Sequence, residues 1–197
     1  MHDLLGPLIL FSLAMSFTLG PNVVMVTASA ANFGFRPVLP HIAGITVGFA
    51  AMILASGLGL AGLFQAEPRL HTALKYIGGA YLLYLAWRIA NAGAASGIAR
   101  PRPISFVEAI LFQLVNPKGW VSAIGAVAAF STVGGNVLAE TLLITLVLGS
   151  ACTASVTVWA AFGTAIGRFL GRLRVRRAFN WSMAALLVLS LVPVFRT

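Results

Sequence analysis

Six long apolar stretches separated by short polar connections organise the chain. They cover residues 4–31, 42–64, 74–90, 106–130, 141–166 and 178–195. None alternates apolar and polar positions over about ten residues, as a membrane-barrel strand would. Each is continuously apolar over about the length a helix needs to cross the hydrocarbon core, so each is predicted to be a spanning helix, spans 1 to 6. The connections at 32–41, 65–72, 131–136 and 167–177 are short. The longest, 92–104, carries Gly, Ser and Arg100-Pro101-Arg102-Pro103 and reads as a flexible linker. It divides one transmembrane domain into two three-helix halves, residues 1–91 and 105–197.

Two of the stretches are interrupted. Span 1 contains Thr18-Leu19-Gly20-Pro21-Asn22 and span 4 contains Asn116-Pro117-Lys118. Proline removes a backbone donor and collides with the carbonyl four residues earlier. The freed backbone groups must face a cavity or pack on protein, because lipid offers them no partner. Each half thus opens on a proline-broken helix with an Asn beside the break. The halves also end alike, with Gly79-Ala80-Tyr81-Leu82-Leu83 in span 3 and Met183-Ala184-Ala185-Leu186-Leu187 in span 6. Three helices is an odd number, so the second half enters the membrane from the opposite side. The expected fold is an all-α membrane protein with six transmembrane helices, a 3+3 inverted-topology repeat whose helices 1 and 4 are broken. Paired breaks at matching positions point to a transporter's central site. The plainer alternative is that Pro and Gly are common in membrane helices.

Composition agrees. Of 197 residues, 59% are hydrophobic and 9% charged, against about 25% charged in a soluble domain, and the mean hydropathy is +0.96. That excludes a cytoplasmic enzyme, an extracellular module and a disordered chain. Met1-His2-Asp3 has no basic n-region, so the first apolar stretch reads as a span rather than a secretory signal. The net charge of +9 comes from 13 Lys and Arg against Asp3, Glu67, Glu108 and Glu140. Nine of the basic residues fall on connections 1–2, 3–4 and 5–6, and three on the other side. The positive-inside rule puts the nine in the cytoplasm and both termini outside. The basic residues then read as contacts to lipid headgroups rather than to nucleic acid. A lone Cys152 forbids an internal disulfide or a Cys-x-x-Cys pair, and His2, His41 and His71 are expected at span ends. No enzyme activity, metal or cofactor is therefore expected.

Lys118 is the ionisable side chain expected deep inside a span. Its ammonium costs several kcal/mol at the bilayer centre unless something offsets it. Either a substrate carboxylate in a wet cavity or the carbonyls freed at Pro117 would do so. Gln113, three residues before the second break, is placed to reach the same cavity. In span 5, Ser150, Thr153, Thr157 and Thr164 share a helical face, as cavity lining or as hydroxyls bonded back to their own helix. In span 2, Gly44, Gly48, Ala51, Ala55, Gly59 and Gly62 form a small-residue packing stripe.

The chain resembles the LysE/RhtB family of bacterial amino-acid exporters. The likeness rests on Thr18-Leu19-Gly20-Pro21-Asn22, Gly44-x-x-x-Gly48-Phe49, the run from Gly79 to Trp87, Asn116-Pro117-Lys118 and Asn180-Trp181-x-Met183-Ala184, in order and at family spacing. It implies a six-helix inner-membrane exporter of amino acids or their derivatives driven by the proton-motive force. The branch is most similar to exporters of cysteine, O-acetylserine and small neutral amino acids. Two departures stand out: Leu19 replaces the first proline of the usual Pro-Gly-Pro, and Phe49 stands where many relatives carry an acid. On this reading Asn22, Asn116, Lys118, Gly20, Pro21, Pro117 and Gln113 bind the substrate. Thr18, Tyr81, Thr153, Thr157 and Asn180 are candidates to line the cavity. Protons, lipid and a second copy of the chain are the other expected partners. The rival reading is a small-solute channel or facilitator without ion coupling.

Overall fold

The computed structural model describes residues 2–60, 68–92, 102–132 and 134–192. Among these the chain is helical, without strands: α1 His2–Phe17, α2 Pro21–Phe33, α3 Phe35–Ala55, α4 Pro68–Asn91, α5 Phe106–Leu114, α6 Pro117–Phe130, α7 Val137–Gly167 and α8 Leu173–Leu189. A π turn, Ser56–Leu60, continues α3.

Both breaks form. α1 and α2 meet at 53°, and α5 and α6 are separated at Val115 and Asn116. Pro21 and Pro117 each sit at the start of the following helix, where a missing N–H costs nothing because that donor is unpaired anyway. α3, and likewise α7, is long and apolar enough to cross a membrane alone, and the bent pair α1–α2 is so together. Span 4 is divided into helices of 9 and 14 residues. α4 begins Pro68-Arg69 and carries Lys75 and Arg88, and α8 begins in the basic run Leu173-Arg174-Val175-Arg176-Arg177. The halves of span 4 and the 17-residue α8 are too short for the same measure, and the charges of α4 make it too polar.

α7 is the central element and packs against α1, α2 and α3; α3 packs in turn against α5 and α2, and α4 pairs with α8. Close approach depends on missing side chains. A Cβ on Gly44 would run into the Phe106 carbonyl and one on Gly48 would lie 3.0 Å from Gln113, so these two do form the α3 packing face, against α5. Ala51 of the same stripe is exposed. On α7, Gly163 and Gly167 abut the carbonyls of Thr27 and Ala31 on α2, a small-xxx-small contact that the sequence reading passed over. The core gathers Met25, Ile45, Met52, Phe112, Ile144 and Leu148, while Leu10, Val121, Leu146 and Trp181 point outward. An apolar exterior around an apolar core suits lipid, not water.

Several ends differ from expectation. The connection read over 32–41 is a single residue, Gly34, whose φ of 84° favours glycine. Helix α3 therefore starts before Pro37 and Pro40, and His41 lies inside the helix and fully buried rather than at a span end. Span 5 starts earlier, at Val137, because the Asn136 side chain accepts the Ala139 N–H at 3.0 Å and caps α7. Most of the linker read at 92–104, Gly62 and the ends of spans 2 and 6 at 61–64 and 193–195 lie outside the described residues.

Candidate functional site

The break in span 1 leaves the last carbonyls of α1 without intrahelical donors. Two distant side chains supply them. Ser155 on α7 donates to the Ser16 carbonyl at 2.8 Å. Lys118, on the first turn of α6, donates through Nζ to the Thr18 carbonyl at 2.8 Å and to the Thr18 hydroxyl at 2.9 Å. The charge beside the second break thus serves the first, not the carbonyls freed at Pro117. Gly20 makes room for it: a Cβ there would lie 2.7 Å from the Lys118 Cδ. The backbone at Gly20 is extended (φ −167°), so the requirement is space alone.

At the second break Asn116 occupies the position before α6 but makes no capping bond. Its side-chain N–H donates instead to Gln113 Oε1 at 3.1 Å. Beside the two breaks three polar atoms, Asn22 Oδ1, Asn116 Oδ1 and Gln113 Nε2, are buried without partners among the described residues. A buried, unpaired polar atom costs about 1–3 kcal/mol.

Asn22, Asn116 and Lys118 converge on one cavity, bordered also by Gly20, Pro21 and Ser122 and walled by Phe49, Leu148, Cys152 and Val156. It holds about 450 Å³ of space between atoms, its open mouth included. The lining residues bring one ammonium, two asparagines whose amide oxygens are buried and unpaired among the described residues, and an apolar wall. That set can take a carboxylate, an ammonium and a small uncharged side chain at once.

The other candidates lie nearby or elsewhere. Thr18 meets the site through Lys118, Gln113 through Asn116, and Pro117 shapes the turn between them. Thr153 faces Thr46 of α3 at 2.9 Å, and Thr157 bonds back to the Thr153 carbonyl at 2.7 Å. It is the neighbouring face of α7, with Cys152, Ser155 and Val156, that meets the cavity and the break; a serine one step off the hydroxyl stripe was the available signal. Tyr81 stacks near Phe112 and donates to the Glu108 carbonyl at 3.2 Å. Glu108 is itself paired with Arg88 at 2.7 Å and Arg102 at 3.1 Å. Asn180 exchanges amide hydrogen bonds with Asn32 at 2.7 and 3.2 Å, joining α8 to α2.

Comparison with known proteins gives one family. The model described as LysE type translocator matches residues 13–192. The cysteine/O-acetylserine efflux protein of Salmonella choleraesuis (strain SC-B67) is 31% identical over 192 residues, 94% of each chain. The protein of that name from Klebsiella pneumoniae is 29% identical over 191 residues, 97% of this chain and 96% of its own. The one from Escherichia coli (strain K12) is 28% identical over 186 residues, 94% of each. No solved structure matches.

Proposed function

The chain belongs to the LysE type translocator family, and from that premise we propose that it is a secondary transporter exporting a small amino acid of the cysteine or O-acetylserine kind, in exchange for protons. It is a multi-pass membrane protein and not an enzyme. The observation that carries the substrate reading is the convergence of Lys118, Asn22 and Asn116, one from beside each break and one from within, on a single cavity. Lys118 holds the substrate carboxylate, and the unpaired Asn22 and Asn116 oxygens take its ammonium. Phe49, Leu148, Cys152 and Val156 accept a short side chain. Among the residues bordering the cavity Lys118 alone is charged, so a second charge on the substrate has no counterpart and is disfavoured.

The reading includes six spans in two inverted halves, residues 1–91 and 105–197, with 92–104 between them. Packing supports it. α1 on α7 is matched by α5 on α3, while the pairs α3–α7 and α4–α8 are their own counterparts, as a twofold axis in the membrane plane requires. The excess of basic residues on connections 1–2, 3–4 and 5–6 supports a cytoplasmic location for that side and an outside location for both termini.

The test is flux in proteoliposomes of the purified chain. Preloaded unlabelled cysteine should accelerate entry of labelled cysteine, and O-acetylserine should compete where lysine and glutamate do not. Flux that rises linearly with concentration and shows no exchange would identify a channel instead.

A further inference from the structure

The tie between Thr18 and Lys118 has a fixed direction. An ammonium has three N–H donors and no lone pair, so both Thr18 oxygens accept, the carbonyl at 2.8 Å and the hydroxyl at 2.9 Å. The hydroxyl hydrogen goes to the Met15 carbonyl at 3.0 Å, and the Thr18 N–H to the Ala14 carbonyl at 3.3 Å. Each hydrogen on the Thr18 side is thereby committed, while one lysine donor is unused among the described residues. Thr18 itself does not border the cavity, whereas Met15, Ser16 and Gly20 on either side of it do, and so does Lys118.

Neutral oxygens fill hydrogen bonds but bring no charge to set against the ammonium. Lys118 pairs with no carboxylate among the described residues, where both ion pairs go to Glu108. A carboxylate offers the same two acceptor oxygens and a full negative charge besides, and hydrogen bonds with ionised partners are about twice as strong as neutral ones. Two oxygens of the chain therefore stand where the two oxygens of a carboxylate would, with the charge missing. The bond is not sealed in the core: Thr18 is exposed and Lys118 half-buried. The unused third donor lets a carboxylate make its first bond before an existing one breaks.

Resting on the reading of this cavity as the substrate site of an amino-acid exporter, we infer that Thr18 is an internal stand-in for the substrate carboxylate: it holds Lys118 in the empty carrier and competes with the substrate for the ammonium. Binding exchanges the Thr18 hydroxyl for a carboxylate oxygen on Nζ; no covalent bond changes and no proton moves. The competition weakens the apparent affinity in proportion to the time the donor is occupied. The exchange also loosens the end of α1 from α6, so the tie between the two breaks opens when a carboxylate arrives. An amine without a carboxylate has nothing to exchange and leaves the tie closed. Thr18 is thus a positioning residue for Lys118 rather than a substrate ligand, and removing its hydroxyl improves binding.

The half-saturation concentration of labelled cysteine in counterflow, in proteoliposomes of the full chain, reads the competition. Thr18→Val keeps the shape of threonine without the hydroxyl oxygen and leaves the carbonyl to hold the ammonium beside Gly20. Thr18→Ala is the second variant, and Thr18→Ser puts the hydroxyl back. The expected result is a half-saturation concentration about fivefold lower in Thr18→Val and Thr18→Ala, with Thr18→Ser returning it to the wild-type value. Loss of a structural brace does not tighten binding, so the gain separates competition from bracing. An unchanged or higher half-saturation in a folded Thr18→Val or Thr18→Ala overturns the inference and leaves the exporter reading standing, as does a Thr18→Ser as tight as Thr18→Val. Failure of both Thr18→Val and Thr18→Ala to fold overturns it too, because the hydroxyl is then a brace. Wild type without saturable cysteine counterflow removes the exporter reading itself and the inference with it.

Discussion

The Lys118 ammonium lies 2.8 Å from the Thr18 carbonyl and 2.9 Å from the Thr18 hydroxyl, 100 residues away in the chain. A cation beside one helix break therefore satisfies the backbone opened by the other. The two halves are tied at the point where the substrate is proposed to bind, and any ligand carboxylate must share or displace that bond.

Lys118→Met removes the charge and keeps most of the stem's volume. The Thr18 carbonyl then loses its lysine partner, a cost of about 1–3 kcal/mol, and the melting temperature should fall by on the order of 5 °C. Export should be abolished. Lys118→Arg should retain the melting temperature better yet still export poorly, because the wider guanidinium does not fit over Gly20. Thermal unfolding and cysteine efflux check both. A Met variant with unchanged melting temperature and full efflux would leave the ammonium without either role.

Gly20→Ala places a methyl 2.7 Å from Lys118 Cδ and 3.0 Å from its Nζ. The lysine is flexible and shifts, so the fold should survive. The bond to Thr18 is displaced, and the apparent affinity for cysteine should weaken more than the maximal rate. Gly20→Val should do more of the same. Efflux kinetics at varied internal cysteine distinguish the two parameters; wild-type kinetics in both variants would contradict the close approach.

Gly163→Ala drives a methyl into the Thr27 carbonyl, which is backbone and yields little, whereas a Cβ at Gly149 meets nothing within 4 Å. The α2–α7 contact should open at a cost of about 1–3 kcal/mol, seen as poor recovery of folded protein by size-exclusion chromatography. Gly149→Ala should stay within about 0.5 kcal/mol of wild type. Equal recovery of the two variants would refute the tight α2–α7 packing.

Orientation is open to direct labelling. With Cys152, which is buried, replaced by Ala, single cysteines at Ser131 and Arg174 should react with an impermeant reagent from opposite sides of the membrane. Ser131 is expected outside and Arg174 inside. Reaction of both from one side would contradict the six-span arrangement.

What could be read in advance followed from covalent chemistry. A proline has no N–H wherever the chain places it, so Pro21 and Pro117 announced both breaks. Lys118 is costly in hydrocarbon whatever surrounds it, so it stood out as well. Continuous apolar runs sufficed for helices and membrane. The hydroxyl stripe of α7 was visible, but the choice between its face and the next was not. A helix exposes both faces equally until its neighbours arrive, and α1 and α3 turned Ser155, Cys152 and Val156 toward the break while Thr153 met Thr46.

Only the tertiary structure decided the partners. Lys118 faced two accounts, a substrate or its own break, and packing of α6 beside the end of α1 provided a third, the carbonyl of Thr18. His41 looked terminal because two prolines precede it; Gly34 alone turned the chain and let α3 begin sooner, which put the ring inside. Sequence thereby determined which groups the membrane would make expensive, since that depends on local chemistry. Which groups relieve one another depends on contacts between residues far apart in the chain, and those exist only once the helices have packed.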